Sequence, residues 1–299
     1  MEPTEATVSG PGDRRSIVVG VDPDPAHRTA VAWAADEAVR RGLPLRLVHV
    51  EGVPTRGYRR QEVPPSWEKW NEGLHTAGKQ ALGEVTDFVA GRYPRLEVDA
   101  LLAEGDPVWV LREQSRDATV LVLGSRRPSR RQDVFGSASV ALPVMAHAHC
   151  PLVVVPEPEH LPQEPGYYVV GVDGSEHSAA AVDLAFEEAA LRGVELRAVL
   201  AWEPGPLRIF DEHEPQQECR RLLSEIVAGR HARFPEVRLR HDVVVGHPVQ
   251  VLTDASAHAL GLVVGTRGRG GFAGMLLGSV SQGVLHHADC PVIAVPSRG

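Results

Sequence analysis

The sequence predicts two tandem α/β domains, each a parallel sheet with helices on both faces, and three observations lead there. Short apolar runs alternate with segments of helical period, which is the signature of strands joined by crossover helices. The alternation is interrupted once, by Pro156 to Pro165, where four prolines stand among acidic residues. Beyond that stretch the chain starts over: Val18-Val19-Gly20-Val21-Asp22 returns as Val169-Val170-Gly171-Val172-Asp173, and Arg40-Arg41-Gly42 as Leu191-Arg192-Gly193, at one constant offset. A length of 299 residues, about two ordinary domains, agrees with this internal duplication.

Taken in order, residues 1–13 are rich in Gly, Pro and Glu and read as a flexible tail, and the first domain is assigned to residues 14–156. Ser16 to Asp22 is a buried strand. Ala30 to Arg41 carries an apolar face through Ala30, Val31, Ala34, Ala38 and Val39, and Gly42 stops it as a helix. Leu45 to Val50 is the second strand. Three prolines, several charges and two tryptophans between Glu51 and Trp70 suggest a long mobile loop, with a helix only from about Leu74 to Arg92. A strand at Leu96 to Ala103, a turn at Glu104 to Pro107, a helix at Val108 to Arg116, a strand at Thr119 to Leu123, a helix near Val140 to Ala148 and a strand at Pro151 to Val155 complete the half. Residues 157–165 are read as linker and 166–299 as the second domain. There Gly246-His247-Pro248 answers Gly105-Asp106-Pro107, and Asp289-Cys290-Pro291 answers His149-Cys150-Pro151.

Composition narrows the function classes. Apolar residues make up 43% and charged residues 23%, ordinary for a globular protein, and no apolar run reaches the roughly 20 residues that span a bilayer. With a polar N-terminus lacking a signal-peptide core, the expectation is a cytoplasmic protein with no membrane partner. A net charge of −8 argues against nucleic acid as a general partner. Three cysteines, without framework spacing, are expected as reduced thiols.

The chemistry-bearing stretch is Gly265-Thr266-Arg267-Gly268, nine residues of loop, then Gly278-Ser279. It follows the apolar run Leu260 to Val264 and precedes a helix from Val280 to His287, giving strand, glycine-rich loop, helix start. Unpaired N–H groups and the positive end of a helix favour anionic oxygens, so a phosphate site is expected. A plain surface turn is the alternative. No G-x-x-x-x-G-K-[ST] occurs, which argues against a Walker-type NTPase; Gly268 to Ala273 does spell G-x-G-x-x-[GA], but with one helix and one strand left to come it is misplaced for a dinucleotide fold. His147, His149 and Cys150, echoed by His286, His287 and Cys290, sit at helix ends and are read as caps and strand starts rather than a metal site. No catalytic constellation is found.

Val-Gly-Val-Asp-Gly-Ser at 170 to 175, paired with G-x2-G-x9-G-S at 265 to 279, resembles the universal stress protein family in its tandem two-domain bacterial form. The resemblance spans nearly the whole chain after the tail. It implies flavodoxin-like (adenine-nucleotide alpha-hydrolase-like) domains of five parallel strands, ATP as ligand, and a homodimer formed through the last strands. Carried over to this chain, it places Gly171 and Asp173 at the end of the first strand, with Asp173 by the adenosine and ribose. Ala201 would face the adenine, Gly265, Arg267 and Gly268 the phosphates, and Gly278, Ser279, Val280 and Ser281 the terminal phosphates.

In the first half the corresponding positions are Asp22, Val50, Gly124, Arg127 and Ser139, and the pattern departs from the family's. Arg127 stands where the second glycine belongs, in the basic loop Arg126 to Arg131, and Pro23-Asp24-Pro25 replaces Gly-Ser after the aspartate. A bulky side chain where backbone must approach phosphate would weaken, alter or abolish the first site; four arginines gripping a more anionic ligand is the opposite reading. Three functions stay open: a stress-response regulator that signals through ATP occupancy of the second domain, a slow Mg2+-dependent ATPase, and a scaffold whose first domain binds no nucleotide. The regulator and scaffold readings imply a protein partner that the sequence does not specify.

Overall fold

The computed structural model describes residues 15–24, 28–51, 67–126, 138–157, 162, 164–203, 213–269 and 276–296. Its elements run β1 (Ser16–Gly20), α1 (Thr29–Arg41), β2 (Leu45–Glu51), α2 (Trp67–Arg92), β3 (Val98–Glu104), α3 (Pro107–Gln114), β4 (Ala118–Arg126), α4 (Ala138–His147) and β5 (Leu152–Glu157). The second half follows as β6 (Tyr167–Gly171), α5 (Glu176–Arg192), β7 (Glu195–Trp202), α6 (His213–His231), β8 (Leu239–Val245), α7 (Pro248–Ser256), β9 (Gly261–Gly265), α8 (Ser279–His287) and β10 (Val292–Val295). Each half thus has five strands and four helices among the described residues, as the alternation predicts. Gly42 and Gly193 end α1 and α5 in the left-handed conformation at φ +63°, which explains why a glycine recurs at that offset.

One expectation needs correction. The helix placed from about Leu74 begins seven residues earlier, at Trp67. The two tryptophans and the charges of Glu68, Lys69 and Glu72 suit a helix start as well as a loop, and the last proline before them is Pro65. Residues 52–66 of the expected loop, the N-terminal tail and most of the linker lie outside the described residues.

The strands form one ten-stranded sheet in the order β3-β2-β1-β4-β5-β10-β9-β6-β7-β8. Within each half all pairings are parallel, and the winding reverses between β1 and β4, or between β6 and β9. At the centre β5 and β10 pair antiparallel, Val153 opposite Ile293. The edge that the family resemblance assigns to a dimer between two copies is therefore occupied within one chain.

Alternation along the strands divides the apolar residues between two faces. Ile17, Val19, Val153, Tyr168, Val170 and Ile293 point to a core under α1, α2, α5 and α6 that runs through both halves. On the opposite face Val18, Leu121 and Leu152 pack under α3 and α4, while Val169, Leu262 and Val292 pack under α7 and α8. Where α1 meets α5, Arg41 donates to Glu37 and Glu188, and Arg192 donates to Glu188 and Glu37, closing a four-membered ring of charges. Glu37 and Glu188 are 1% and 2% exposed; burial lowers the pKa of each arginine, but Glu188 and Glu37 outweigh it at Arg41, and Tyr168 together with the same two carboxylates outweighs it at Arg192, so both rise. The members are equivalent in the duplication, Glu37 with Glu188 and Arg41 with Arg192. Glu-x-x-x-Arg before each stop glycine was therefore a readable signal that went unused, because an i, i+4 pair usually marks a solvated helix face.

Candidate functional site

Ligand crevices of doubly wound sheets lie beyond the carboxyl ends of the strands at the winding reversal. A cavity of about 390 Å3 opens there in the second half, and all ten residues expected at the second site line it: Gly171, Asp173, Ala201, Gly265, Arg267, Gly268, Gly278, Ser279, Val280 and Ser281. Val172, Val199, Leu252 and Val264 supply an apolar wall, and Pro248, Ser178 and Arg269 complete the rim. Pro248 and its counterpart Pro107 each line the cavity of their own half, so the repeated Gly-x-Pro was a site signal that the sequence reading noted only as repetition.

Asp173 organises the loop. Its Oδ1 accepts from the Ser175 backbone N–H at 2.9 Å and from the Ser175 hydroxyl at 2.7 Å, and its Oδ2 accepts from the Arg269 N–H at 2.9 Å. Burial pushes its pKa up, but the hydrogen bonds from Ser175, Arg269 and Ser178 outweigh burial and hold it below the ordinary carboxylate value. Gly268 has no room for a side chain: a Cβ there would stand 2.3 Å from Asp173 Oδ2. Ser175 in turn caps α5, its Oγ accepting from the Ser178 N–H at 3.1 Å.

The glycines answer first to packing. A Cβ on Gly265 would lie 2.8 Å from the backbone carbonyl of His177 in the first turn of α5, and one on Gly278 would lie 3.4 Å from Arg267 Cα. Gly278 N–H donates to Thr266 O at 2.9 Å, folding the loop end back onto β9. The Ser281 hydroxyl, expected to face phosphate, instead donates to Gly265 O at 2.6 Å. What remains for an anion is the start of α8: Gly278 is its N-cap without any side-chain cap, Ser279 is exposed, and the first-turn residues 279–281 line the cavity. Exposed Arg267 and Arg269 add positive charge at the rim.

In the first half a cavity of about 370 Å3 sits at the equivalent reversal, lined by Asp22, Val50 and Gly124 as expected. Residues 127–131 of the basic loop, Arg127 among them, lie outside the described residues, and Ser139 stands in the first turn of α4 with its side chain likewise undescribed. His49, Ser125 and Glu157 also line this cavity. β4 and β5 pair two residues further than their counterparts, Ser125 with Pro156 and Arg126 with Glu157, whereas β9 ends at Gly265 opposite Val295. That extension brings Glu157 beside Gly124, where a Cβ would meet only Ala30 at 3.6 Å and Glu157 at 3.8 Å.

The profile of the universal stress protein family matches residues 13–156 and again 168–296. The chain belongs to that family. A universal stress protein of Mycobacterium tuberculosis, Rv2005c, is 37% identical over 96% of this chain and 98% of its own length, and a second from that organism, Rv2623, is 36% identical over 93% and 95%. Among solved structures, the crystal structure of a universal stress protein from Archaeoglobus fulgidus aligns over 95% of this chain and 97% of its own at a TM-score of 0.68 and 16% identity. That likeness shows the tandem α/β fold of the family.

Proposed function

We propose that this universal stress protein is a stress-response regulator that binds ATP in its second domain and signals through occupancy of that site. One observation carries the reading: the uncapped start of α8, the Gly268 loop and Asp173 converge on a single cavity at the winding reversal. The residues fit the ligand. An apolar wall of Val199, Ala201 and Leu252 suits a purine, backbone N–H groups of residues 279–281 with Arg267 and Arg269 suit phosphates, and about 390 Å3 lies within the range of roughly 300–1,000 Å3 usual for small-molecule sites.

Asp173 gives the site a means of signalling. Its carboxylate holds the Arg269 N–H, and ribose hydroxyls arriving at the same carboxylate would compete with that bond. Occupancy would thereby change how the loop leaving β9 is held, and a protein partner reading that loop would sense nucleotide. The slow ATPase reading is less favoured: Asp173 is the only carboxylate among the described lining residues, and both of its oxygens are engaged by protein donors. Any Mg2+ would come with the phosphates and supply charge neutralisation there.

The homodimer expectation changes form, because β5 and β10 already pair inside the chain; a dimer of whole chains would use another surface. Mass spectrometry of small molecules released from the purified protein, with calorimetric titration of the full chain by ATP, tests the proposal. One tight site per chain is expected. Absence of ATP binding, or two equal sites, would overturn it.

A further inference from the structure

The start of α8 belongs to the second half, yet part of what holds it lies in the first. Three consecutive residues at the loop end fix that start. The Leu276 carbonyl accepts from Arg267 Nε at 3.3 Å, and the Gly278 N–H donates to Thr266 O at 2.9 Å, so both bonds run back to the chain just beyond β9. Between them stands Leu277, whose side chain is used differently.

Leu277 is 8% exposed, and the cluster it joins is not the one under α7 and α8 but the one under α3 and α4, with Leu121, Met145, Leu152 and Val154. Apart from Leu277 and Ala294 of β10, every buried member of that cluster comes from the first half. Leu276 beside it is exposed, so the burial belongs to Leu277 and not to the loop end as a whole.

The central pairing explains how one leucine reaches across. Thr266 N–H donates to Val295 O at 3.0 Å, and Ala294, one residue before, stands opposite Leu152 where β10 meets β5. The loop end that Thr266 holds is thereby carried to the junction of the halves. Leu285, two turns further along α8, packs against both clusters, so the helix as a whole rests on that junction. Removing a leucine side chain from water favours one placement of the chain that carries it. Counted from the matching Cys-Pro pairs, the position of Leu277 is taken in the first half by Ser137, which has no apolar body to bury.

Building on the ATP reading above, we propose that Leu277 is a positioning residue for the phosphate end of the second site, with its socket supplied by the first half. Seated there, Leu277 sets where the unpaired N–H groups of residues 279–281 lie and, through Leu276 O, where Arg267 stands at the rim. The adenosine of the same ligand meets Val199, Ala201, Leu252 and Asp173, on the other side of the cavity's chemistry. Leu277 therefore governs the preference for ATP over adenosine and leaves the affinity for the nucleoside alone.

The test compares the full chain with Leu277→Ser, which installs the residue of the first half, and with Leu277→Met, which keeps an apolar side chain of similar size. Calorimetry with ATP and with adenosine is read on each, together with hydrogen exchange at the Gly278 amide in the absence of ligand. Leu277→Ser is expected to lose about tenfold or more in ATP affinity, to hold adenosine within about twofold, and to speed exchange at Gly278 about tenfold. Leu277→Met is expected to stay within about threefold of the parent in every readout. General loosening of the protein would weaken both ligands alike, so equal losses for ATP and adenosine would overturn the proposal. Unchanged ATP affinity, unchanged exchange at Gly278, or Leu277→Met behaving no better than Leu277→Ser would overturn it too. Leu277→Ala, a milder truncation expected to move both readouts in the same direction, takes the place of Leu277→Ser if that variant fails to fold. A parent chain that binds no ATP would remove the proposed function alone, and exchange at Gly278 would then decide whether Leu277 holds the start of α8.

Discussion

Two copies of one domain differ most in what happens just beyond the first and fourth strands. After Asp173 the chain turns through Gly174 at φ +81°, and Ser175 caps a helix that starts at Glu176. After Asp22 comes Pro23, which cannot take that conformation, and α1 starts only at Thr29 with no side-chain cap. The extra turn of α5 presses the His177 backbone onto Gly265, and there the strand stops and the loop turns back to Asp173. In the first half β4 runs on to Arg126 beside Glu157. The half whose helix starts sooner after its aspartate is thus the half whose fourth strand stops earlier.

The comparison can be broken or sharpened by measurement. The largest effect is expected where the halves are alike. Glu37→Gln and Glu188→Gln should each cost about 3 kcal/mol in urea unfolding, because each leaves a buried arginine short of a partner; unequal costs would show that the ring is not symmetric in energy. Where the halves differ, Gly268→Ala drives a Cβ into Asp173 and should lower ATP affinity about 100-fold by calorimetry with the fold intact by circular dichroism. Unchanged affinity would remove the loop from the site.

Packing gives a third contrast. Gly265→Ala should destabilise by about 2 kcal/mol, against less than about 0.5 kcal/mol for Gly124→Ala, since only the former meets backbone closer than 3 Å. Equal costs would sink the account of why β9 stops. The smallest effect concerns pH. The folded pKa of Asp173 is depressed, so the stability it adds is present above the ordinary carboxylate value of about 3.9 and disappears as pH falls through the lower folded value. Hydrogen exchange at the Arg269 amide should lose protection across that acid window, and protection that is flat with pH would mean that Asp173 does not hold the loop.

The fold was legible because duplication supplied its own control: Gly42 with Gly193 and Cys150-Pro151 with Cys290-Pro291 fixed where elements end. The strand-end cavity was legible residue by residue, since glycine spacing and strand alternation are local properties. What each residue does was less so. Gly265 lines the cavity, but its missing Cβ also makes room for the His177 backbone of α5, and the Ser281 hydroxyl is spent on Gly265 O. Those are tertiary contacts between segments about ninety residues apart or across a loop, and neither periodicity nor motif spacing encodes them. The start of α2 was missed for the opposite reason, because tryptophans and charges are compatible with helix and loop alike.

Pairing of β5 with β10 inside one polypeptide has a consequence for how such a protein can change. In an assembly of identical subunits every substitution is written twice, and both sites improve or fail together. Here Pro23 and Arg127 could enter one copy while Gly174 and Gly268 stayed in the other, so a single chain can retain one inherited pocket and let its twin drift toward another use.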